Sequence, residues 1–292
     1  GQIDAQMAGA VEHHAVLHTL EAMERSGTRR AVLVAPGTNG IIDPAEIGRR
    51  VSSTTNMVTV MAANNEVGTL QPIQEISKEI RKNGSKLTVF HTDAVQAVGH
   101  IPVDVQKMGV DMLVMDDGWF GHRESDDSSL GDWYVNEKKL KGGLSSLIER
   151  VNAEGLKFGI WYEPEMISPD SDLYRAHPDW CLHVPNRENS PARLQYVLDM
   201  TRKDVRDNIF AQMYKVLSEN KIDYVKWDFN RNLTEVGSAL LPPERQKEVM
   251  HRFVLGTYDL MDRFVKAFPN ILFENCSGGG GRFDAGMLYY SP

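Results

Sequence analysis

The chain alternates short apolar runs with longer segments in which apolar residues recur every third or fourth position. Runs of roughly four to eight residues predict buried strands, and the three-to-four spacing predicts amphipathic helices. Strands are predicted at 31–35, 56–62, 86–91, 110–115, 157–160, 222–225 and 270–273. Helices are predicted at 14–26, 44–50, 74–82, 103–108, 144–153, 203–218 and 243–267. This alternation indicates an α/β fold on a mainly parallel sheet with right-handed crossovers.

Four of the predicted strands end in residues that can do chemistry. The letters that follow them are DDGWF at 116–120, WYEPE at 161–165, KWD at 226–228 and ENCSGGGG at 274–281. Because parallel strands present their carboxyl ends at one edge, as in (β/α) barrels, these four endings predict one shared pocket. Taken singly, each has a plainer explanation as a turn or as core.

Lys226 and Asp228 are two residues apart, so their side chains lie on one face of a strand end. A neighbouring cation keeps a carboxylate ionised, as a nucleophile requires. The alternative is a surface ion pair without a catalytic role.

Composition narrows the classes of function. A net charge of −8 argues against nucleic acid as a partner, and no apolar run is long enough to span a bilayer. Residues 1–10 lack the pattern of a signal peptide. Cys181 and Cys276 have no metal-type spacing and suggest free thiols, with a single disulfide as the alternative. We therefore expect a cytoplasmic protein without a metal site, and an oligomer is compatible with these features.

The composition changes near Met115. Before it the only aromatic residue is Phe90, whereas every Trp and Tyr of the chain follows it. This asymmetry indicates two origins joined within the strand at 110–115, and we expect domains at 1–115 and 116–292.

The C-terminal part, from about residue 109, resembles the melibiase-type α-galactosidases of glycoside hydrolase family 36. The resemblance rests on DDGWFG at 116–121, LGDW at 130–133, WYEPEM at 161–166, KWD at 226–228 and ENCSGGGGRFD at 274–284. It implies a partial TIM (β/α) barrel that hydrolyses terminal α-galactosides with retention and needs no cofactor. Asp228 matches the catalytic nucleophile. The substrate-binding positions it implies are Asp116, Asp117, Trp161, Arg193, Lys226, Cys276, Gly278 and Gly279.

The family's general acid comes from a strand beyond the glycine tetrad, and the sequence ends at Pro292, before it. A retaining glycosidase needs that second carboxyl group to protonate the leaving oxygen. We therefore expect hydrolysis to be impaired.

Residues from about 11 to 115 resemble cysteine desulfurases, which are pyridoxal-phosphate enzymes of the aminotransferase class V type. The matching segments are VEHHAV at 11–16, AANNEVG at 62–68, QPI at 71–73 and HTDAVQAVG at 91–99. The resemblance implies cofactor contacts from His13, Asn65, Asp93 and Gln96. The family's Schiff-base lysine has no counterpart after 109–111, so we do not expect a working pyridoxal-phosphate enzyme.

The simplest interpretation is a hybrid chain that joins a transferase-like parallel-sheet fragment to a partial barrel. One barrel-like closure, one open doubly wound sheet and two separate fragments are all compatible with the sequence. The leading function is an impaired α-galactosidase. The alternatives are a fragment that binds pyridoxal phosphate without turnover and a non-catalytic scaffold or galactose-binding module.

Overall fold

A computed structural model describes residues 5–27, 29–102, 104, 110–277, 282 and 284–291. The chain forms two compact units, Gly1–Asp111 and Met112–Pro292, called unit 1 and unit 2 below. Within the described ranges, no helix is both long and apolar enough to cross a membrane.

Unit 1 is built on one parallel sheet with helices. Its strands are β1 (Ala5–Gly9), β2 (Arg30–Val34), β3 (Thr55–Thr59) and β4 (Val89–His91). Its helices are α1 (His14–Arg25), α2 (Pro44–Arg50) and α3 (Ile73–Asn83). The strand order is β2-β1-β3-β4, and every pairing is parallel. This confirms a parallel α/β arrangement.

The order of unit 1 makes β1 a central strand, which the sequence did not predict. Its letters, AQMAG, contain no β-branched residue and so carry little strand propensity. Burial compensates, because Met7 and Ala8 lie in the core between β2 and β3. The predicted helix at 103–108 lies outside the described residues except for Asp104.

Local signals account for the helices of unit 1. The Asp43 side chain caps α2 by accepting the Ala45 backbone N–H, and Pro44 occupies the first helical turn, where it is tolerated. Along α3, Ile73, Ile76 and Ile80 recur at helical spacing and are buried against the core.

Unit 2 contains a second parallel sheet and a short antiparallel pair. Its strands are β5 (Met112–Met115), β6 (Lys157–Tyr162), β7 (Met166–Ile167), β8 (Tyr196–Val197), β9 (Tyr224–Trp227) and β10 (Leu272–Asn275). Its helices are α4 (Gly143–Ala153), α5 (Asp172–Ala176), α6 (Lys203–Glu219), α7 (Val249–Ala267) and α8 (Ala285–Tyr290). The main sheet has the order β10-β9-β6-β5, and all its pairings are parallel.

Two details of unit 2 differ from the sequence prediction. The helix predicted at 243–267 is a 3₁₀ helix, Pro243–Glu248, followed by α7. The β7–β8 pair was not predicted, because strands of two residues are too short for alternation to show. We call β7, β8 and the chain between them the arm.

Candidate active site

The carboxyl ends of β5, β6, β9 and β10 bring most of the predicted substrate-binding residues of unit 2 together. Trp161 in β6 pairs in register with Lys226 in β9, which pairs with Glu274 in β10. Asp228 and Cys276 are the first residues after β9 and β10. The strand order β5-β6-β9-β10 thus brings the four strand endings to one edge of the sheet, where the sequence predicted a shared pocket.

Asp228 is buried, and four donors surround its carboxylate. Oδ1 accepts the Phe229 backbone N–H at 2.8 Å, and Oδ2 accepts Asn230 Nδ2 at 2.6 Å and Trp161 Nε1 at 3.2 Å. The Cys276 thiol also bonds to this carboxylate. Burial alone would raise the pKa of Asp228, but the hydrogen bonds, led by that from Asn230, hold this pKa below its ordinary value. Asp228 is therefore ionised at neutral pH.

Lys226 contributes less to that ionisation than the sequence suggested. Its Nζ lies 3.6 Å from Asp116 Oδ2. Burial would lower the pKa of Lys226, but the charge of Asp116 is the largest of the opposing effects, and this pKa lies above its ordinary value. Lys226 also interacts with the charge of Asp228, so the expectation that it helps to keep Asp228 charged stays a prediction. The hydrogen bonds lower the pKa of Asp228 more, and the ion-pair contact of Lys226 is with Asp116.

Asp116 and Asp117 are adjacent in sequence but differ in their partners. Arg123, itself buried, binds Asp117 through both oxygens, with Nε–Oδ1 at 2.9 Å and an Nη2–Oδ2 contact of 2.6 Å. Asp116 accepts the Asp117 backbone N–H at 2.8 Å and faces Lys226. Bidentate pairing fixes a carboxylate in one orientation, so Asp117 is held by protein while Asp116 is the less constrained acceptor.

Trp161 is held by a cluster of buried rings. It stacks on Phe120 at 6.2 Å between centroids and meets Trp133 edge to face at 6.3 Å. Its backbone carbonyl accepts the indole N–H of Trp119 at 2.9 Å. With its own indole N–H on Asp228, Trp161 serves to orient the carboxylate more than to form an open aromatic wall, since only 3% of it is exposed.

Arg193 is exposed and lies in the arm shortly before β8. Arg193 and Leu194 both have positive φ, of 52° and 60°. Ala192 and Gln195 bridge across them as an antiparallel pair. Two consecutive positive φ values are the backbone of a type I′ hairpin turn, which usually requires Asn or Gly. The turn is therefore strained and must be held by its surroundings.

Two glutamates, Glu163 and Glu165, follow β6 directly. Glu163 accepts the Asn230 backbone N–H at 2.5 Å and Gln195 Nε2 at 3.0 Å. Burial, with a further contribution from the charge of Asp228, raises the pKa of Glu163 to about 7. Glu165 is completely buried and accepts the Trp227 indole N–H at 2.8 Å. Both are therefore supports, sealed from solvent.

Arg282 closes this support layer. Its guanidinium pairs with Glu165, donates to Asn275 Oδ1 at 2.9 Å and lies 4.7 Å from the centre of the Phe229 ring. The sequence analysis did not single out Arg282, Asn230 or Gln195. Asn230 could have been suspected from its place two residues after Asp228. Gly278 and Gly279 lie outside the described residues.

The residues predicted to contact pyridoxal phosphate lie in unit 1, near the carboxyl ends of its strands. His13, Asn65 and Gln96 are exposed, and Asp93 is half-buried. Asp93 Oδ1 accepts the Val95 backbone N–H at 3.0 Å, which is the local capping role expected of a turn aspartate.

The donor set of unit 1 does not fit a Schiff-base enzyme. Among its described residues, Lys78 and Lys82 lie on α3 and Lys86 precedes β4, so these lysines do not follow the carboxyl end of a strand. Asp93 also has a second carboxyl group nearby, because Glu12 lies close enough for their charges to interact. We derive no reaction through this cofactor.

Comparison with known proteins matches both parts of the chain. The Melibiase family matches residues 73–292, and the Aminotransferase class-V family matches residues 4–116. The chain is 59% identical over 186 residues to "Alpha-galactosidase AgaA" of Geobacillus stearothermophilus, covering 64% of this chain and 26% of that protein. It is 57% identical over 187 residues to "Alpha-galactosidase Mel36A" of Lactobacillus acidophilus, with 64% and 26% covered.

Solved structures give the same picture. The crystal structure of the GH36 α-galactosidase AgaA aligns with a TM-score of 0.63 at 58% identity, over 64% of this chain and 26% of that one. A variant of AgaA solved in complex with raffinose aligns with a TM-score of 0.61 at 60% identity, over 62% and 25%. The chain thus spans about a quarter of the length of these relatives. Because the family match extends over residues 73–292, the chain belongs to the melibiase family, and its residues 4–116 match the Aminotransferase class-V family.

Proposed function

We propose that unit 2 binds the galactosyl group of an α-galactoside and that Asp228 attacks its anomeric carbon. The observation that carries the proposal is the Asp228 carboxylate, buried yet ionised at the end of β9. A nucleophile needs this combination, because burial removes competing water while the donors preserve the charge. The relatives solved with raffinose and stachyose support galactosides as the substrate class.

In the proposed step, an Asp228 oxygen forms a bond to the anomeric carbon as the bond from that carbon to the leaving oxygen breaks. The product is a covalent galactosyl-enzyme, which water later hydrolyses. Asp116 accepts hydrogen bonds from sugar hydroxyl groups, and Lys226 donates hydrogen bonds in the same region. Trp161 and Cys276 hold the carboxylate in position by their hydrogen bonds.

We expect transfer of the galactosyl group to Asp228, and therefore hydrolysis, to depend on whether the leaving group needs a proton. Among the described carboxyl groups, Glu163 is sealed behind Asn230, and Asp284 caps α8 while accepting Tyr258. We assign neither to proton donation. Without a general acid, substrates whose leaving group requires a proton should react about 10²–10⁴-fold more slowly.

The test is a burst assay with 2,4-dinitrophenyl α-galactoside, whose leaving group departs without a proton. We expect release of close to one equivalent of dinitrophenolate when the full chain is mixed with excess substrate. Asp228→Asn, which keeps the size of the side chain but removes the nucleophile, should abolish the burst. Asp259→Asn is the matched control, because Asp259 lies on α7 with a half-exposed side chain that pairs with Arg206, and it should retain the burst.

The other outcomes are equally informative. A sample with a cooperative thermal transition and no burst would contradict the proposal. If galactose then raised the melting temperature, unit 2 would be a galactose-binding module. An absorbance band near 420 nm on addition of pyridoxal phosphate would instead favour cofactor binding by unit 1.

A further inference from the structure

One buried carboxylate lies between the nucleophile and the arm. Glu163 follows β6, and 2% of it is exposed. A single oxygen, Oε1, accepts both the Asn230 backbone N–H at 2.5 Å and the Gln195 side-chain amide at 3.0 Å. Asn230 follows β9, whereas Gln195 directly precedes β8 in the arm. Glu163 therefore joins two separate elements at one point.

The bond to Asn230 leads directly to the nucleophile. The Asn230 side chain donates to Asp228 Oδ2 at 2.6 Å, the shorter of the two measured contacts to that oxygen. Glu163 fixes the backbone of the same residue. Without this bond the Asn230 amide loses an anchor, and the aim of the Asp228 carboxylate changes with it.

The bond to Gln195 leads to the strained turn of the arm. Gln195 ends the turn that carries Arg193 and Leu194 in the left-handed region, and its backbone N–H donates to the Ala192 carbonyl at 3.3 Å. The buried Arg231 donates to the Gln195 carbonyl. Glu163 supplies the contact to the Gln195 side chain, so it helps to hold a backbone conformation that Arg and Leu rarely adopt.

Glu163 superficially resembles a general acid, since it is a carboxyl group close to the nucleophile. Its contacts argue against that role, because its bonded oxygen faces Asn230 and Gln195 and the side chain is sealed from solvent. The charge that acts on it is that of Asp228; Gln195 and Asn230 are neutral, and the nearby Glu165 is paired with Arg282. These contacts make Glu163 a residue that holds its neighbours, and we do not assign it to proton donation.

We propose that Glu163 is a positioning residue that fixes Asp228 through Asn230 and fixes the Arg193 turn through Gln195. The inference rests on the proposed function for its kinetic consequences. It adds to that function a link between the residue that would attack the sugar and the turn that would contact it. Glu163 then affects both the rate of the galactosyl transfer and the affinity for substrate.

Three variants separate these effects. Glu163→Gln keeps an oxygen that accepts both bonds but cannot ionise, so the burst should remain. Glu163→Met removes both bonds and should lower the burst rate constant by about 10²-fold, the usual effect of misplacing a reacting group by about 1 Å. Gln195→Leu breaks only the contact to the arm, so it should weaken substrate saturation several-fold and leave the rate constant at saturation unchanged.

The pH profile tests whether Glu163 itself is responsible. The burst rate constant of the unsubstituted chain should bend near pH 7, where Glu163 loses its proton and a second negative charge then acts on Asp228. In Glu163→Gln this bend should disappear although the burst persists. A purely structural role would leave the bend unchanged, and that result would overturn the inference.

A readout without substrate keeps the inference separate from the proposed function. The side-chain amide resonance of Asn230, measured by ¹⁵N NMR, should shift with a midpoint near pH 7 in the unsubstituted chain and stay constant in Glu163→Gln. If no burst occurs but this resonance titrates, positioning stands and the galactosidase proposal fails. If a burst occurs, the resonance does not titrate and Glu163→Met reacts at the normal rate, the inference is wrong and the proposed function stands.

Discussion

The two parallel sheets of this chain each bury a glutamate near their carboxyl edge, and the two glutamates are treated differently. In unit 2, Glu165 accepts the Trp227 indole N–H and pairs with Arg282. In unit 1, Glu12 accepts the Met61 backbone N–H at 2.7 Å, whereas its Oε2 is buried and has no hydrogen-bond partner among the residues that the structure describes. Glu165 thus has a partner of opposite charge, whereas Glu12 accepts from a neutral backbone group.

The difference shows that the sheet supplies the position but not the electrostatics. Burial raises the pKa of Glu12 to about 7, and the charge of Asp93 adds to this effect while the bond from Met61 opposes it. The edge in unit 2 has a guanidinium and several indole and amide donors, which suits a site that must keep a charge. The edge in unit 1 has backbone and hydroxyl donors. These donors do not offset the burial of Glu12, so the neutral acid is favoured.

The largest expected effect comes from removing the countercharge in unit 2. Arg282→Leu leaves Glu165, which is 0% exposed, with the Trp227 indole as its remaining described donor. Breaking a buried ion pair on one side typically costs about 3–5 kcal/mol. We expect the free energy of unfolding of unit 2, followed by tryptophan fluorescence, to fall by about that amount. All five tryptophans lie in unit 2, so the signal is specific to it.

Arg175→Leu is the control for this substitution. Arg175 pairs with Asp170 and Asp172 in solvent, where an ion pair contributes about 0–1 kcal/mol. The double variant Arg282→Leu with Glu165→Gln should recover part of the loss, because it removes the uncompensated charge. If Arg282→Leu and Arg175→Leu lower the free energy of unfolding equally, Arg282 does not compensate the charge of Glu165.

The second-largest expected effect is a pH dependence of the stability of unit 1 that comes from Glu12. The pKa of Glu12 is about 7 in the folded protein and 4.5 without the fold, so the folded state holds the proton more tightly. The stability from this group is complete below pH 4.5 and is lost as pH rises through about 7, by up to about 3 kcal/mol. Glu12→Gln cannot lose a proton and should abolish this dependence in unit 1.

Amide hydrogen exchange in β3, at Met57 and Val58, provides the measurement, since it reports on unit 1 alone. Protection should fall between pH 5 and pH 8, after correction for intrinsic exchange, and should remain level in Glu12→Gln. Glu66→Gln, at an exposed position in the same unit, should behave as the unsubstituted chain. A pH dependence that persists in Glu12→Gln would place the titrating group elsewhere.

The sequence predicted the sheets well, because their strands are apolar runs with polar endings. It placed Asp116, Trp161, Lys226 and Asp228 at strand ends, and the structure brings them to one edge. It missed β1, whose letters lack strand propensity and whose position is decided by burial between two neighbours. Sequence patterns therefore predict a strand when its own residues have strand propensity, and they miss a strand that depends on burial by its neighbours.

The partners of each charged group were harder to predict. The bond from Gln195 to Glu163 joins residues 32 positions apart, and the pairing of Arg282 with Glu165 joins residues 117 apart. Neither spacing leaves a periodic signal in the sequence. The assignment of Lys226 to Asp228 relied on their closeness in sequence, whereas Asp116, from a different strand, is the carboxylate that faces Lys226.

The smallest expected effect comes from removing one hydrogen-bond donor to Glu12. Thr59 is buried, and its hydroxyl bonds to Glu12 and lies 2.8 Å from His91 Nδ1. Thr59→Val keeps the shape and removes the hydroxyl, so it should cost about 1 kcal/mol and move the midpoint of the pH dependence in unit 1 above that of the unsubstituted chain. Thr88→Val, which removes a buried hydroxyl bonded to the Thr55 carbonyl at 2.8 Å, should cost a similar amount without moving the midpoint. If both variants leave the midpoint in place, hydroxyl donors do not set the proton affinity of Glu12, and the contrast with Glu165 reduces to the presence of Arg282.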